Sequence, residues 1–436
     1  AWSTHRFFIV SHNLLRSEEY LRGLREWLLE FAAGSLFILD EAHAAAPSSQ
    51  TKYAIDSQTT HAVRDIARRF EHRLFLSATP HNGHSNSFSA LLEILDPQRF
   101  TRGVPVTPAA RNVVMVRRLK SEIRKHSPGE SIPIRHVQRE SVSGLPPDAP
   151  ELLLAAKLAE YTDIIERRLL GESNRAKAAG KLVTIALQKR LLSSIEAFAR
   201  TLQVHRISAA KTSASLPPEP EKKAQAIQTE LALAEESDLT EEQSGALDDA
   251  EVAAATRAGA RATDDAAAQR LLIEMGEIAE RNRSRPDAKV KSLLKWIAEH
   301  QCPGLAQKQK GAEWKDTRLL IFTEYTDTKK YLIEQLGSAI GATDRAEERI
   351  LGLGGGMDEE NREAVKSAFN SAEHPVRILV ATDAAREGVN LQAQCATLFH
   401  FDLPWNPARM EQRNGRIDRL LQPAEHVYCH YFVYEQ

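Results

Sequence analysis

The sequence is poor in the features that mark several classes of protein. It has 436 residues but only three cysteines, Cys302, Cys395 and Cys429, too few and too far apart for a disulfide framework or a zinc site. Its formal net charge is -2, so any surface that binds nucleic acid must be local. No apolar run reaches the length of a membrane span, and no signal peptide is visible. These absences favour a cytoplasmic protein with no membrane partner.

The chain does contain an ordinary globular composition arranged in an alternating pattern. Hydrophobic residues make up 42% and charged residues 27%, and the length favours two or three domains. Short apolar runs at 36–39, 74–76, 318–322 and 376–380 alternate with helical segments, and a polar motif follows each of several runs. This pattern predicts an α/β fold with doubly wound parallel sheets.

Composition and spacing predict helices in the middle of the chain. Residues 151–202 are rich in Leu and Ala at helical spacing, and residues 222–283 are Ala-rich and charged, which favours long exposed helices over disorder. Several Pro and Gly residues in 127–150 indicate a connector along a surface. The charged middle segment is also a candidate surface for a protein partner. The expected domains are an α/β domain at 1–120, a connector and helical insertion at 121–285, and a second α/β domain at 286–436.

Two polar motifs follow apolar runs in the first domain. Asp40-Glu41-Ala42-His43 offers adjacent carboxylates, of which one can hold Mg²⁺ and the next can polarise an attacking water. A plain acidic surface turn is the alternative. Ser77-Ala78-Thr79-Pro80 has two hydroxyls that can bond to the acidic motif and to a partner domain, although Ser and Thr are also ordinary turn residues.

Two further motifs lie near the end of the chain. The segment from Thr382 to Gln392 follows an apolar run; an Asp in that place can accept from a ribose hydroxyl, and a Gly permits close backbone approach, unless the segment is only a polar loop. In Gln412-Arg413-x-Gly415-Arg416-x-x-Arg419, the arginines are three residues apart. On a helix they would share a face, and the planar guanidinium fork suits a phosphate. The alternative is a solvated basic helix.

These four motifs, in this order, resemble those of superfamily 2 helicase-like ATPases. Asp402-Leu403-Pro404-Trp405-Asn406-Pro407, Ser77-Ala78-Thr79-Pro80-His81-Asn82-Gly83 and Arg117-Arg118-Leu119-Lys120 are similar to motifs of the Snf2 branch. Leu187-Gln188-Lys189-Arg190-Leu191-Leu192-Ser193-Ser194 and Gly354-Gly355-Gly356-Met357 resemble the bacterial RapA-type subgroup, which includes the Snf2-like ATPases of DISARM-type phage-defence systems.

The resemblance implies an ATP-dependent translocase on double-stranded DNA, built from two RecA-like parallel-sheet lobes with ATP and Mg²⁺ between them. A role in bacterial phage defence or transcription recycling would follow. By motif match, Asp40 would hold Mg²⁺, and Glu41 would activate water. The other implied roles are nucleotide binding by His43, Asp383, Gly388, Gln412 and Arg413, γ-phosphate contacts by Arg416 and Arg419, coupling to DNA movement by Ser77 and Thr79, and DNA phosphate contacts by Thr323 and Thr382.

The sequence departs from the family pattern in two places. Leu421-Gln422 stands where the family usually has Gly-Gln. More importantly, no Gly-x-x-x-x-Gly-Lys-Ser/Thr phosphate loop is present, because Ala179-Gly180-Lys181-Leu182 lacks both the preceding glycine and the hydroxyl. We therefore expect a fragment of a longer ATPase, with an N-terminally incomplete first lobe and little activity on its own. The alternatives are a non-hydrolysing scaffold that binds DNA or protein, and a helicase that separates strands of DNA or RNA.

Overall fold

The described part of the chain divides into two compact units. The computed structural model describes residues 5–12, 14–46, 58–78, 85–126, 132–213, 241–258, 265–383 and 389–435. The first unit takes in residues up to His126 together with Pro404–Glu411, and the second takes in the other described residues. None of the described helices is both long enough and apolar enough to cross a membrane.

The first unit is a small α/β assembly. Its strands β1 (Leu36–Leu39) and β2 (His72–Phe75) pair in parallel. Its helices are α1 (Glu18–Phe31), α2 (Gln58–Ala67), α3 (Ser85–Leu95), α4 (Pro108–Val114) and α5 (Lys120–His126). On α1 the buried residues Leu21, Leu24 and Leu28 recur every three or four positions, so one helical face enters the core.

The described residues cover one face of the two-stranded sheet. Successive side chains of a strand point to opposite faces, and Leu39 is buried in the core while Leu36 and Ile38 are 51% and 54% exposed. On β2 and just beyond it, Leu74 and Leu76 are also exposed. Apolar residues at every position of β1 predict a strand buried on both faces, so the largely apolar second face of this sheet is without a cover among the described residues.

The second unit is built on a six-stranded parallel sheet, which confirms the predicted α/β class. The strand order is β3-β8-β7-β4-β6-β5. The strands are β3 (Ile134–Val142), β4 (Leu319–Thr323), β5 (Ile350–Leu353), β6 (Ile378–Thr382), β7 (Thr397–His400) and β8 (His426–Tyr434). Every residue of β4, β6 and β7 is buried. Largely apolar sequences form these strands, as is typical of a parallel sheet that is covered on both faces.

Helices cover the two faces of this sheet. Ahead of them in the chain lie α6 (Pro150–Leu169), α7 (Asn174–Ser193), α8 (Ile195–Ser213), α9 (Glu241–Ala258) and α10 (Ala266–Asn282), which form the helical insertion. Helices α11 (Ala288–His300) and α12 (Thr326–Ile340) pack on one face, and α13 (Glu359–Asn370) packs on the other. The three cysteines, all in this unit, are buried and free.

The prediction of a surface connector at 127–150 is wrong over nine of its residues. Ile134–Val142 is strand β3, which pairs with β8 along its whole length at the edge of the sheet. Edge strands leave many side chains in solvent, and most of β3 is exposed or half-buried. The sequence of β3 therefore lacks the apolar run that made the central strands recognisable.

The described part of the charged middle segment is helical, which confirms the predicted helices, but the expectation that these helices are exposed is wrong for α10. Helix α10 buries Ala268, Leu271, Leu272 and Met275, which follow the i, i+3, i+4, i+7 pattern of one helical face. They join the core of the insertion with residues from α6, α7 and α8. Composition averages over all faces of a helix and so hides a narrow apolar stripe. Residues 214–240 and 259–264 lie outside the described residues.

The core of the insertion encloses a chain of polar side chains. The hydroxyl of Tyr161 lies 2.6 Å from Nε2 of His205, whose Nδ1 lies 2.7 Å from Oγ1 of Thr256. All three residues are buried, and Oγ1 of Thr256 donates a hydrogen bond to the carbonyl oxygen of Val252 at 2.7 Å. Burial lowers the pKa of His205 to about 4. His205 is therefore neutral in the folded insertion at neutral pH.

We expect this histidine to make the insertion sensitive to acid. The unfolded chain binds a proton at His205 below the ordinary pKa of 6.5, whereas the folded chain binds one only near pH 4, so stability falls as the pH drops through that window. The loss between pH 7 and pH 5 is about 2 kcal/mol. Urea unfolding at the two pH values measures it. His205→Gln should flatten the difference; an equal difference in that variant contradicts the assignment.

Candidate functional site

In the first unit the acidic motif lies where β1 ends. The backbone pairing of β1 and β2 continues past both strands, because Leu76 N donates to Leu39 O at 2.8 Å and Ala42 N donates to Leu76 O at 2.9 Å. Ala42 is fully buried. The backbone on both sides of Asp40 and Glu41 is thus anchored, and these two residues span a tight turn at the carboxyl edge of the sheet.

Glu41 has an unusual backbone conformation in this turn. Its φ of 45° and ψ of 46° place it in the left-handed region, which costs a residue other than glycine roughly 1–3 kcal/mol. The side chain is 47% exposed, and its Oε2 lies 3.2 Å from Nδ1 of His43. Asp40 is exposed, and its Oδ1 accepts a hydrogen bond from Glu41 N at 2.9 Å. The turn therefore leaves the Asp40 carboxylate exposed and places the Glu41 carboxylate against His43.

A side-chain contact joins the hydroxyl motif to the acidic motif. Oγ of Ser77 lies 3.3 Å from Nδ1 of His43, the same ring nitrogen that faces Glu41. Ser77 follows β2 as the acidic motif follows β1, so the parallel pairing brings the two motifs together. The other predicted hydroxyl, Thr79, lies outside the described residues.

In the second unit the carboxyl ends of three adjacent strands carry polar residues. Thr323 ends β4, Thr382 ends β6 directly across from it, and Asp383 follows. Asp402 comes two residues after β7 on the other side of β4. Because all three strands are parallel, these side chains collect at one edge of the sheet. This edge is the usual place for ligands in open parallel sheets.

Arg413 links the ends of β6 and β7 across β4. It lies in α14 (Pro407–Asn414) and is fully buried. Its Nε donates to Asp383 Oδ1 at 2.5 Å, and its Nη1 donates to the carbonyl of Asp402 at 2.8 Å. The guanidinium carbon lies 5.7 Å from the ring centre of Phe322 in β4. Burial by itself lowers the pKa of Arg413, but the carboxylates of Asp383 and Asp402 outweigh it and raise the pKa.

The prediction that the three arginines share one helical face is wrong. Helix α14 ends at Asn414, and the next residues form turns, with Ile417 N and Asp418 N both donating to Asn414 O. The turns bury Ile417 in the core. Arg413 consequently points into the protein, while Arg416 and Arg419 are half-buried. Arg416 Nη1 donates to Val389 O at 3.0 Å, and Arg419 Nη1 donates to Asn390 Oδ1.

The remaining predicted residues occupy different surroundings. Gln412 is half-buried, and Gly388 lies outside the described residues. Thr323 is fully buried and donates to Asp402 Oδ2 at 2.5 Å; Thr382 is 3% exposed. Contact of the Thr323 and Thr382 hydroxyls with DNA stays a prediction. Because both side chains are buried, such contact requires the carboxyl edge of the sheet to become accessible. Within the described part of the chain, Thr382 Oγ1 and Asp383 Oδ2 have no hydrogen-bond partner.

Two site residues were missed at the sequence level. Asp402 accepts from Ser193 Oγ, Thr323 Oγ1 and Glu324 N, and it faces Arg413. Its position after an apolar run is the same signal that singled out Asp383. His400 is buried, with Nε2 2.8 Å from Asn414 Oδ1. Burial, with the charge of Arg413 in addition, lowers the pKa of His400 to about 3, so the ring stays neutral.

We expect Arg413→Ala to destabilise the second unit strongly. The substitution leaves Asp383 and Asp402 buried beside each other without their cation, and breaking a buried ion pair costs about 3–5 kcal/mol. Denaturant unfolding of the chain measures the loss. Arg270→Ala is the control, because Arg270 is 80% exposed and forms a surface ion pair with Glu274 one helical turn away. Equal stability of the two variants would contradict the structural role of Arg413.

The donors in the first unit suit a magnesium ion that arrives with a nucleotide. Among the described residues, no three His, Cys, Asp or Glu side chains are grouped to hold a metal. Mg²⁺ is usually bound by one or two carboxylates, with waters and substrate phosphates completing the octahedron. Asp40 offers one exposed carboxylate of this kind.

Comparison with known proteins gives partial matches. The chain is 37% identical over 117 residues to the uncharacterised ATP-dependent helicase YqhH of Bacillus subtilis strain 168, a match to 26% of this chain and 18% of YqhH. It is 39% identical over 70 residues to the RNA polymerase-associated protein RapA of Yersinia enterocolitica, 16% of this chain and 7% of RapA. The matched stretch is thus less than a fifth of either relative.

The chain is also similar to a solved structure and to a family model. The SWI2/SNF2 ATPase core of Sulfolobus solfataricus in complex with dsDNA is 15% identical, with a TM-score of 0.36, and the match covers 92% of this chain and 63% of that one. The family model named helicase conserved C-terminal domain matches residues 306–420. This range contains Thr323, Asp383, Asp402 and the arginine motif. The sheet edge described above is therefore part of a region similar to the C-terminal domain of helicases.

Proposed function

We propose that the chain forms part of an ATP-hydrolysing motor of the Snf2 type that moves on double-stranded DNA. One observation carries the proposal: Arg413 ties Asp383 and Asp402 together at the carboxyl ends of parallel strands, and Arg416 follows in the next turn. Asp383 keeps one carboxylate oxygen without a partner among the described residues. That oxygen can accept from a ribose hydroxyl, and Arg416 can donate to a phosphate.

The chemical roles divide between the two units. In the first, Glu41 accepts the proton of the attacking water, and Asp40 would hold the Mg²⁺ ion that accompanies ATP. Bound Mg²⁺ would neutralise charge on the phosphate oxygens. His43 orients Glu41 through the 3.2 Å contact and is itself reached by Ser77, which offers a route from hydrolysis to movement. In the second, Arg416 and Arg419 stabilise charge on the γ-phosphate.

The phosphate loop is the part of such a motor that this sequence lacks. We propose that it lies N-terminal to Ala1 in a longer protein. The exposed Leu36 and Ile38 of β1 support this, since a strand that is apolar at every position is normally covered on both faces. The Asp402–Pro407 motif supports action on duplex DNA, and the local similarity to RapA supports a bacterial nucleoprotein as the setting.

The test is an ATPase assay on the full-length protein with duplex DNA, single-stranded DNA and RNA. Stimulation by duplex DNA without release of a labelled strand is the expected result, and the 436-residue chain alone should show little activity. Strand release would instead favour a helicase. DNA binding with no turnover in the full-length protein would favour a scaffold and would overturn the proposal.

A further inference from the structure

The Leu187–Ser194 motif ends the second helix of the insertion at the candidate site. Ser193 is the last residue of α7, and its Oγ donates to Asp402 Oδ2 at 2.6 Å. The same hydroxyl lies 2.7 Å from Oγ1 of Thr328 in the first turn of α12. Ser193, Thr328 and Asp402 are all buried. A residue of the insertion thus contacts the carboxylate that follows β7.

A buried lysine fastens the same helix end to the same strand end. Lys289 is 2% exposed, and its Nζ donates to the carbonyls of Leu192 and Ser193 at 2.7 Å each and to the carbonyl of Phe401 at 2.8 Å. An ammonium group has three N–H bonds, so all its donors are used. Two of the acceptors end a helix, where carbonyls lack helical partners and a cation is favourable. The third directly precedes Asp402.

Asp402 connects the end of α7 to the other polar residues of the candidate site. Its Oδ2 is shared by Ser193 and Thr323, its Oδ1 accepts from Glu324 N at 2.8 Å, and its backbone carbonyl accepts from Arg413. Arg413 in turn holds Asp383. The contacts therefore run without interruption from the insertion to the predicted ribose-binding carboxylate.

The same motif makes a third contact with this edge of the sheet. The guanidinium of Arg190 lies 3.9 Å from the ring centre of Tyr325, two residues after β4, and its Nη2 reaches Asp248 of α9 at 2.5 Å. The motif is therefore joined both to the insertion and to the strand ends. A shift of the insertion would be carried to Asp402, because a packed polar network has few alternative arrangements.

We propose that Ser193 and Lys289 are positioning residues, through which the helical insertion sets the geometry of Asp402 and Arg413 and so of the nucleotide site. The inference rests on the proposed function for its effect on ATP turnover, but its structural part does not. Neither residue touches the nucleotide. Both act by fixing the end of β7, from which the chain continues towards Arg416.

The test compares Ser193→Ala with Ser194→Ala in the full-length protein. Ser194 belongs to the same motif and is also buried, but its Oγ bonds to Thr328 and to Ala197 N instead of Asp402. We expect Ser193→Ala to lower kcat roughly 10- to 100-fold with little change in KM, because small misplacements of a catalytic edge have effects of this size. Ser194→Ala should lose similar thermal stability yet keep kcat near that of the wild type.

Hydrogen exchange provides a second measurement that does not depend on turnover. Amides in peptides covering residues 398–416 should exchange about tenfold faster in Ser193→Ala and Lys289→Met than in Ser194→Ala. The two effects should be less than additive in the double variant, since both act on one strand end. Unchanged exchange overturns the inference, and so does faster exchange with normal kcat. A wild type that hydrolyses no ATP refutes the proposed function instead, and exchange then decides alone whether these residues position Asp402.

Discussion

Glu41→Gln is expected to reduce ATP turnover of the full-length protein by about 10²–10⁴-fold while ATP still binds. Loss of a general base has an effect of this size. Gln keeps the size of the side chain but cannot take the proton of the attacking water. Its amide can still meet His43, which lies 3.2 Å from Oε2 of Glu41, so the turn should stay intact. Steady-state hydrolysis and calorimetric titration with ATP measure the two quantities.

The backbone of Glu41 explains why we place the base here rather than at Asp40. Glu41 is held in the left-handed region between two anchored residues, and strain of this kind persists only where the surrounding structure enforces it. Asp40 already accepts a hydrogen bond from the backbone of Glu41 and is exposed, which suits a ligand of an incoming ion. The two carboxylates are adjacent in sequence but differ in conformation and surroundings.

A matched control separates this role from a general need for acidic residues. Glu93 lies in the same unit, in α3, and its Oε2 accepts from Arg102 N at 2.6 Å. Glu93→Gln should leave turnover at the wild-type value. Turnover in Glu41→Gln within about threefold of the wild type would refute the assignment, given the 10²-fold minimum that a general base contributes.

Much of the fold could be predicted from the sequence because its central strands are buried on both faces. The runs around β4, β6 and β7 are apolar at nearly every position, so their place and type follow from hydrophobicity alone. Strand β3 could not be found this way, since its pairing with β8, almost three hundred residues away, supplies the hydrogen bonds while its side chains remain largely in solvent. Long-range pairing of this sort leaves little local trace.

The candidate site was predictable in its members but less so in its arrangement. The rule that polar residues follow strands in parallel sheets found Asp40, Ser77 and Asp383, and it would equally have found Asp402. The arginine spacing suggested a shared helical face, but Ile417 has to reach the core, and the helix ends three residues before it. Tertiary packing therefore buries Arg413, which serves the fold. The contacts of Lys289 depend on three separate chain segments, which no local pattern could reveal.

Arg416→Ala is expected to lower kcat by roughly 10³–10⁵-fold, the contribution of an arginine that meets the charge of phosphoryl transfer. The cost in stability should be small, about 1 kcal/mol for the hydrogen bond from Nη1 to Val389 O. Arg416 is half-buried, in contrast to the fully buried Arg413 three residues before it. Hydrolysis rates and denaturant unfolding of the same preparation measure both effects.

The pair Arg416→Ala and Arg413→Ala makes the assignment testable in both directions. If Arg416 serves the phosphate and Arg413 the fold, the first variant should be folded and inactive, and the second should unfold at much lower denaturant. Arg416→Lys should recover only part of the rate, since Lys keeps the charge but lacks the planar fork. An unfolded Arg416→Ala beside a folded, inactive Arg413→Ala would reverse the two roles. Arg416 would then stabilise the fold through its hydrogen bond to Val389 O, and the phosphate contact would have to come from Arg413.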